Sequence, residues 1–287
     1  MDPNDGTELL KANPYRLPRN VLPRKYFLSL TPNLKICAFS GTIQIILDVE
    51  NPTSEIVMHA LDLEIPEYEL WNNGLRVPIE KMSFNKNLEM VTFSLKETFS
   101  NRSGDLTVFW AKFKGELNDK MHGFYRMHDK DKNVIGAATQ FEATDARRCF
   151  PCFDEPDMKA VFNITLDVPE NMTALSNMPV AYISGPRDKR KKIIFSPTPP
   201  MSTYLAAFVV AELESIGATD RKGVPIRVWT VSGKKEWGQF ALDFTVKALP
   251  EFGDYYGIDY FVPKLDLVAL PDFAAGATEN LGLITFR

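Results

Sequence analysis

In "PDFAAGATENLGLITFR" (residues 271–287), Glu279 and Asn280 stand among small residues. Small side chains let a backbone approach a ligand closely, and a carboxylate beside exposed backbone groups can hold a cation. On that reading the stretch is half of a binding site; on the plainer one, Gly276 and Gly282 mark turns around a β-edge. A second stretch, "TQFEATDARRCFPCFDEP" (Thr139–Pro156), holds Gln140, Glu142 and a C-x-x-C at Cys149 and Cys152. Alone, the C-x-x-C fits a redox pair or half of a zinc knuckle. A knuckle needs a second pair, which is absent, and a redox motif opens a helix, whereas Pro151 and "FDEP" read as a loop. Two reduced, partly buried structural thiols are therefore expected. Glu142, taken alone, reads as the salt-bridge partner of Arg147 or Arg148.

The elements that must position these residues are mostly strands. "YFLSLTPNL", "FSGTIQIILDV", "EIVMHALDLEI", "MVTFSLKETF", "DLTVFWAKFKGEL", "AVFNITLDVP", "KKIIFSPTP" and "STYLAAFVVAELESI" are short, rich in β-branched and aromatic residues, and broken by Gly, Pro and Asn. Strand follows strand without long helical crossovers, so the region is expected to be antiparallel, a sandwich or a large curved sheet. After Gly217 the texture changes. "GVPIRVWTVSG" reads as a strand, then Trp237, Phe240, Phe244 and Ala248 recur at helical spacing up to the Gly253 and Gly257 punctuation, and "PKLDLVALPDF" reads as a strand again. The expected division is a flexible tail over 1–12, a β-domain over 13–216, and the start of an α/β domain over 217–287.

Composition limits the function classes. The 287 residues are 45% hydrophobic and 24% charged, enough to bury a sizeable core. A formal charge of −4 is too small to steer nucleic acid, and the basic run Arg187–Lys192 reads as a solvated hairpin tip. No apolar run is long enough to span a bilayer, and the N-terminus has no signal core, so no membrane partner and a cytoplasmic location are expected. Three cysteines are too few for a disulfide framework, and the sequons at Asn101, Asn163 and Asn171 are expected to be unused.

The two stretches, in this order and with "HGFYR" (His122–Arg126) and "PMSTYLAAFVV" between them, resemble the zinc metalloaminopeptidase family of aminopeptidase N and the puromycin-sensitive aminopeptidase. The resemblance runs from about Tyr15 to the end. It implies an antiparallel saddle-like β-sandwich domain followed by the incomplete start of a thermolysin-like α/β catalytic domain. It also implies that Glu142 and Glu279 grip the α-ammonium of a peptide N-terminus, as charge-assisted bonds can. Gln140 is implied to line the pocket for the first side chain, the backbone at Gly276 and Ala277 to run beside the peptide, Thr278 and Asn280 to belong to the same binding stretch, and the Glu142–Ala143 bond to be cis. Three positions depart from the family pattern: Thr278 for Met, Leu281 for Trp and Phe286 for Tyr. Thr278 puts a hydroxyl where a flexible thioether usually touches substrate, and Leu281 removes aromatic packing.

The family's catalytic zinc needs an H-E-x-x-H helix and a further Glu. The only histidines are His59, His122 and His128, and no H-E-x-x-H occurs. His122 and His128 are too far apart for one helical turn to share a metal, and all three histidines are expected at the surface or half buried. No catalytic residue and no metal ligand is therefore assigned in this chain. Two function classes remain. One is the N-terminal part of a zinc aminopeptidase, inactive alone and prone to self-association through its incomplete second domain. The other is a non-catalytic binding or scaffold module derived from the same fold. Transcript sequencing separates them: a frame continuing past Arg287 into H-E-x-x-H is the outcome expected for the first, a stop codon for the second.

Overall fold

Along Ala38–Val49, Phe39, Ile43, Ile45 and Leu47 are buried while Ser40 and Gln44 face out. This is the period-two pattern of a strand with one wet face. The computed structural model describes residues 13–100, 104–129 and 133–287, so the expected tail over 1–12 and the sequon at Asn101 lie outside it. Ala38–Val49 and Val21–Asn33 sit at the centre of an eight-stranded sheet. Its order is Val180–Ile183, Arg190–Phe195, Val161–Pro169, Val21–Asn33, Ala38–Val49, Thr107–Glu116, Leu63–Asn72, Leu75–Val77. A three-stranded sheet (Thr53–His59, Met90–Phe99, Ile79–Asn85) and a four-stranded sheet (Thr173–Ser176, Phe208–Ala211, Val134–Gln140, Gly123–His128) complete the β-domain.

One core joins all three sheets, with Ile56 and Phe93, Tyr26 and Phe109, and Phe124 and Phe208 contributed by different sheets. Tyr26 and Phe162 stack in it at 4.6 Å. Each fully buried ring contributes about 1.5–3 kcal/mol over its exposed state, which makes this core a rigid base.

The mainly antiparallel β-domain follows the pattern read from the sequence, with local differences. Val21–Asn33 pairs in parallel with Val161–Pro169. The intervening chain builds parts of two other sheets before it returns, so it can enter the large sheet in either direction. "EIVMHALDLEI" is two strands in different sheets, broken around Asp62, whose φ is 56°. "STYLAAFVVAELESI" likewise divides into Phe208–Ala211 of the four-stranded sheet and Leu213–Thr219 of a further sheet. The first half of the basic run, Arg187–Lys189, lies in the turn of the hairpin joining Val180–Ile183 to Arg190–Phe195, while Arg190–Lys192 open the second strand, with Arg190 paired to Asp167 at 2.7 Å.

That further sheet has the order Leu213–Thr219, Pro225–Val231, Leu265–Ala269, Leu283–Phe286, Ala277–Thr278. Pro225–Val231, Leu265–Ala269 and Leu283–Phe286 run parallel. A parallel pair needs a crossover, and helix α1 (Gln239–Tyr256) supplies it between the first two. It ends where Gly257 turns left-handed at φ 68° and its N–H donates to Gly253. Leu242, Val246 and Leu249 face the sheet, whereas Trp237, Phe240 and Phe244 face solvent.

The two units share a second core. Tyr125, Met127, Ala138, Leu175 and Val209 pack against Val268, Leu270, Phe273 and Leu283. At its rim Gly282 lies against the main chain of Asn177: a Cβ there meets the Asn177 carbonyl oxygen at 2.1 Å, and φ is +75°. Gly282→Ala is therefore expected to cost about 2–4 kcal/mol in urea unfolding. Gly276→Ala, at a position with open space around it, is expected to leave the midpoint within about 0.5 kcal/mol.

Candidate functional site

Gln140 is the last residue of Val134–Gln140, paired there with Gly123. Its neighbour Thr139 fixes the strand end sideways, its hydroxyl accepting from the Phe208 N–H at 3.0 Å. The chain then turns, with Asp145 N–H donating to the Phe141 carbonyl at 2.8 Å, and the Glu142–Ala143 peptide bond is cis. The loop that follows is fastened into the core. Buried Arg147 bonds Asp154 at 3.0 Å and Glu89 at 2.9 Å, and Thr203 donates to the other Asp154 oxygen at 2.6 Å. Burial pushes the Asp154 carboxyl up, while the Thr203 hydrogen bond and the Arg147 charge pull it back. Cys149 and Cys152 are free and fully buried rather than partly so, and burial raises both thiols. Cys152 pairs its backbone with His59, a structural role.

Arg148 bonds Asp145 at 2.7 Å and also pairs with Asp62. Both arginines are thus engaged elsewhere, and exposed Glu142 has no ion-pair partner among the described residues. The local reading of Glu142 as a salt-bridge partner of Arg147 or Arg148 does not hold.

On the other side, Ala277–Thr278 is the edge strand of the five-stranded sheet, opposite Phe286 and Thr285. Strand alternation sorts the motif. Ala277 and Glu279 are exposed; Thr278 and Asn280 are buried at 1% and 3% exposure. The Asn280 amide donates to the Thr285 hydroxyl at 3.2 Å and its carbonyl accepts from Leu283 N–H at 3.1 Å, so it closes the hairpin from inside. Gly276 is exposed, its carbonyl accepting from the Arg287 N–H at 3.1 Å. Gly276 and Gly282 do bracket a β-edge, and the same edge carries Glu279. Among the described residues Glu279 has no ion-pair partner either.

The two stretches meet at Thr278 and Gln140. The hydroxyl lies 2.9 Å from Gln140 Oε1 in a buried contact spanning 138 residues of sequence. Glu142 follows Gln140 by two residues and Glu279 follows Thr278 by one. Residues the sequence reading did not single out hold the meeting in register. Lys264 Nζ donates to the carbonyls of Ser176 and Gly282, each at 2.7 Å, and pairs with Asp266 at 2.7 Å. Burial pulls the Lys264 ammonium down and Asp266 opposes it. Asn177 Nδ2 donates to Leu281 O at 2.8 Å and to Leu205 O at 2.7 Å. Tyr125 Oη donates to Asp272 O at 2.7 Å, and His128 N–H to the Asp272 carboxylate at 2.7 Å. Two opposite charges, Lys264 and Asp266, in the mostly apolar stretch "KLDLVAL" were the available signal for Lys264, since a charge in or beside a buried strand needs a partner.

The sequence that builds this arrangement has relatives among known proteins. Residues 22–205 match the peptidase M1 N-terminal domain, and residues 240–287 match the peptidase family M1 domain. The chain is 45% identical over 278 residues to "Aminopeptidase M1-C" of Oryza sativa subsp. japonica, covering 95% of this chain and 30% of the rice protein. It is 44% identical over 277 residues to "Puromycin-sensitive aminopeptidase" of Caenorhabditis elegans, covering 95% and 29% respectively. With "Aminopeptidase 2, mitochondrial" of Saccharomyces cerevisiae it shares 40% over 291 residues, 98% of this chain and 30% of the yeast protein. The chain belongs to the M1 peptidase family and spans about 30% of the length of these curated relatives.

The histidines do not assemble the zinc site that the family resemblance implies. His122 is exposed and 3.1 Å from Asp145, and His128 lies 3.3 Å from Asp272. His59, expected at the surface or half buried, is instead buried at 2% exposure, because its strand lies under the loop carrying Cys152. Among the described residues no group of three or more His, Cys, Asp or Glu is arranged to hold a metal ion. No helix of those residues is long and apolar enough to cross a membrane.

His59 Nδ1 accepts from Asp154 N–H at 3.3 Å, and burial together with the Arg147 charge lowers its pKa to about 3. The native chain thus keeps His59 neutral where the unfolded chain, with a pKa of about 6.5, takes up a proton. Unfolding then binds a proton below that value, so this contribution to stability is complete above about pH 6.5 and falls by about 1.4 kcal/mol per pH unit toward pH 3. His59→Gln keeps an acceptor and cannot titrate. Between pH 7.5 and 5.0 the wild type is expected to lose about 2 kcal/mol more than this variant in urea unfolding; parallel losses contradict the assignment.

Proposed function

We propose that this chain is the amine-recognising side of a zinc aminopeptidase that removes N-terminal residues from peptides. Glu142 and Glu279 take the α-ammonium of a peptide N-terminus, Gln140 lines the pocket for its first side chain, and the edge strand at Gly276 and Ala277 runs beside the peptide backbone. The observation that supports the reading is the buried Gln140–Thr278 contact, because it joins the two motifs that carry Glu142 and Glu279, both exposed and without an ion-pair partner among the described residues. An ammonium accepts no hydrogen bonds and donates three, so two carboxylates suit it. The names of the relatives, all aminopeptidases, support the same substrate class.

Zinc chemistry in this reading belongs to residues outside this chain, whose sequence has no H-E-x-x-H. The chain alone is proposed to hydrolyse nothing. A division into a β-domain over 13–216 and the opening of a catalytic domain over 217–287 accords with the two family matches. The solvent-facing row Trp237, Phe240 and Phe244 supports self-association through the second unit, since contiguous exposed apolar surface favours association. Three free thiols suit a reducing, cytoplasmic location.

Leucine amide and N-acetyl-leucine amide, titrated into the 287-residue chain and followed by NMR, test the reading. Only the free amine is expected to bind, and Glu142→Gln and Glu279→Gln are each expected to weaken it about 10- to 100-fold, the worth of a charge-assisted bond. Equal binding of the acetylated ligand overturns the amine site and leaves the scaffold reading.

A further inference from the structure

A cavity of about 530 Å³ lies where the two units meet, on the face of the five-stranded sheet away from α1. Strand alternation builds both of its walls. Lys191, Ile193 and Phe195 line it as alternate residues of Arg190–Phe195, and Arg227 and Trp229 as alternate residues of Pro225–Val231. Its size, its mostly apolar lining and its place between two units are those of a small-molecule site. Its charges are unbalanced. Lys191 and Arg227 have no ion-pair partner among the described residues, and the cavity's third cation, Lys264, shares it with a single carboxylate, Asp266. That carboxylate is already engaged by Lys264 at 2.7 Å and by the Trp229 indole N–H at 2.9 Å. Three cations against one carboxylate leave the cavity positive in a chain whose formal charge is −4. Burial pulls the Lys264 ammonium down, Asp266 raises it, and the like charge of Arg227 pulls it down again. An anion beside Arg227 therefore relieves a repulsion already present.

We infer that this junction is a binding site for a small organic anion, a carboxylate on an aromatic or branched apolar body. Its charge meets Arg227 and Lys191, and its body lies against Ile193, Phe195 and Trp229. The basic run at Arg187–Lys192 thereby gains a role beyond that of a hairpin tip, since Lys191 is half buried in the cavity while Lys192 is exposed. One free cation comes from each unit, so the ligand ties the β-domain to the α/β unit. The site is separate from the one proposed for the peptide amine: neither Glu142 nor Glu279 lines this cavity, and its positive charge repels an ammonium group.

Naphthalene-2-carboxylate and its neutral carboxamide, titrated separately into the 15N-labelled 287-residue chain, test this. The carboxylate is expected to bind about 10-fold tighter, the worth of one charge-assisted bond, and to move the Trp229 indole signal together with the backbone signals of Lys191 and Arg227. Arg227→Gln and Lys191→Gln are each expected to weaken it about 3- to 10-fold. Arg227 is exposed and Lys191 half buried, so neither exchange disturbs the core. Acetate, which has the charge without the body, is expected to bind at least about 10-fold more weakly than the naphthoate. The naphthoate is also expected to raise the urea midpoint of the wild type more than that of Arg227→Gln, because a ligand of the native state stabilises it by mass action. The inference is overturned by absence of binding, by equal affinity for carboxylate and carboxamide, or by acetate binding as tightly as the naphthoate. Signal shifts centred on the Trp237 indole beside α1 instead of Trp229, or an affinity and a midpoint shift that neither variant lowers, overturn it as well.

Discussion

One buried ammonium group governs how the two units of this protein meet. Lys264 donates hydrogen bonds to a carbonyl of the β-domain, at Ser176, and to one of its own unit, at Gly282, with Asp266 balancing its charge. Taking a lysine and a carboxylate out of water costs several kcal/mol per ion, and only good geometry with further hydrogen bonds offsets that. Such a pair works only in one arrangement of the two units. Gly282 enforces the same arrangement by close approach, since any side chain there collides with the Asn177 carbonyl.

The site inherits its rigidity from that junction on one side and from the aromatic core on the other. Glu142 stands on a loop whose foot is Arg147 bonded to Asp154 and Glu89, with His59 and Cys152 packed beneath. Glu279 stands on a hairpin whose inside is held by Asn280 and Thr285. Both carboxylates are exposed while nearly everything that holds them is buried. Groups fixed in this way lose little further freedom on binding.

Strand alternation gives the departures from the family pattern their meaning. In Ala277–Asn280, outward and inward residues take turns, so the stretch implied as a whole to bind substrate divides into two outward members, Ala277 and Glu279, and two inward ones. The residue at 278 reaches the other motif, and its hydroxyl makes there a bond that a methionine cannot make. Asn280, turned inward, serves the hairpin.

Much of this was legible in the residues. Period-two alternation and turn residues announced the strands, the row at Trp237, Phe240 and Phe244 announced a helix, and the two motifs named the family and the positions of Gln140, Glu142 and Glu279. Such patterns are local, set by backbone geometry and by which neighbours share a face. Which face of α1 is covered was not legible, because both of its sides carry apolar residues and only the sheet chooses between them. The burial of His59, the engagement of Arg147 and Arg148 away from Glu142, and the roles of Lys264, Asn177 and Asp272 were also decided in three dimensions. Each depends on a partner far away in sequence, and burial, charge pairing and hydrogen-bond satisfaction belong to the space around a residue rather than to its neighbours along the chain.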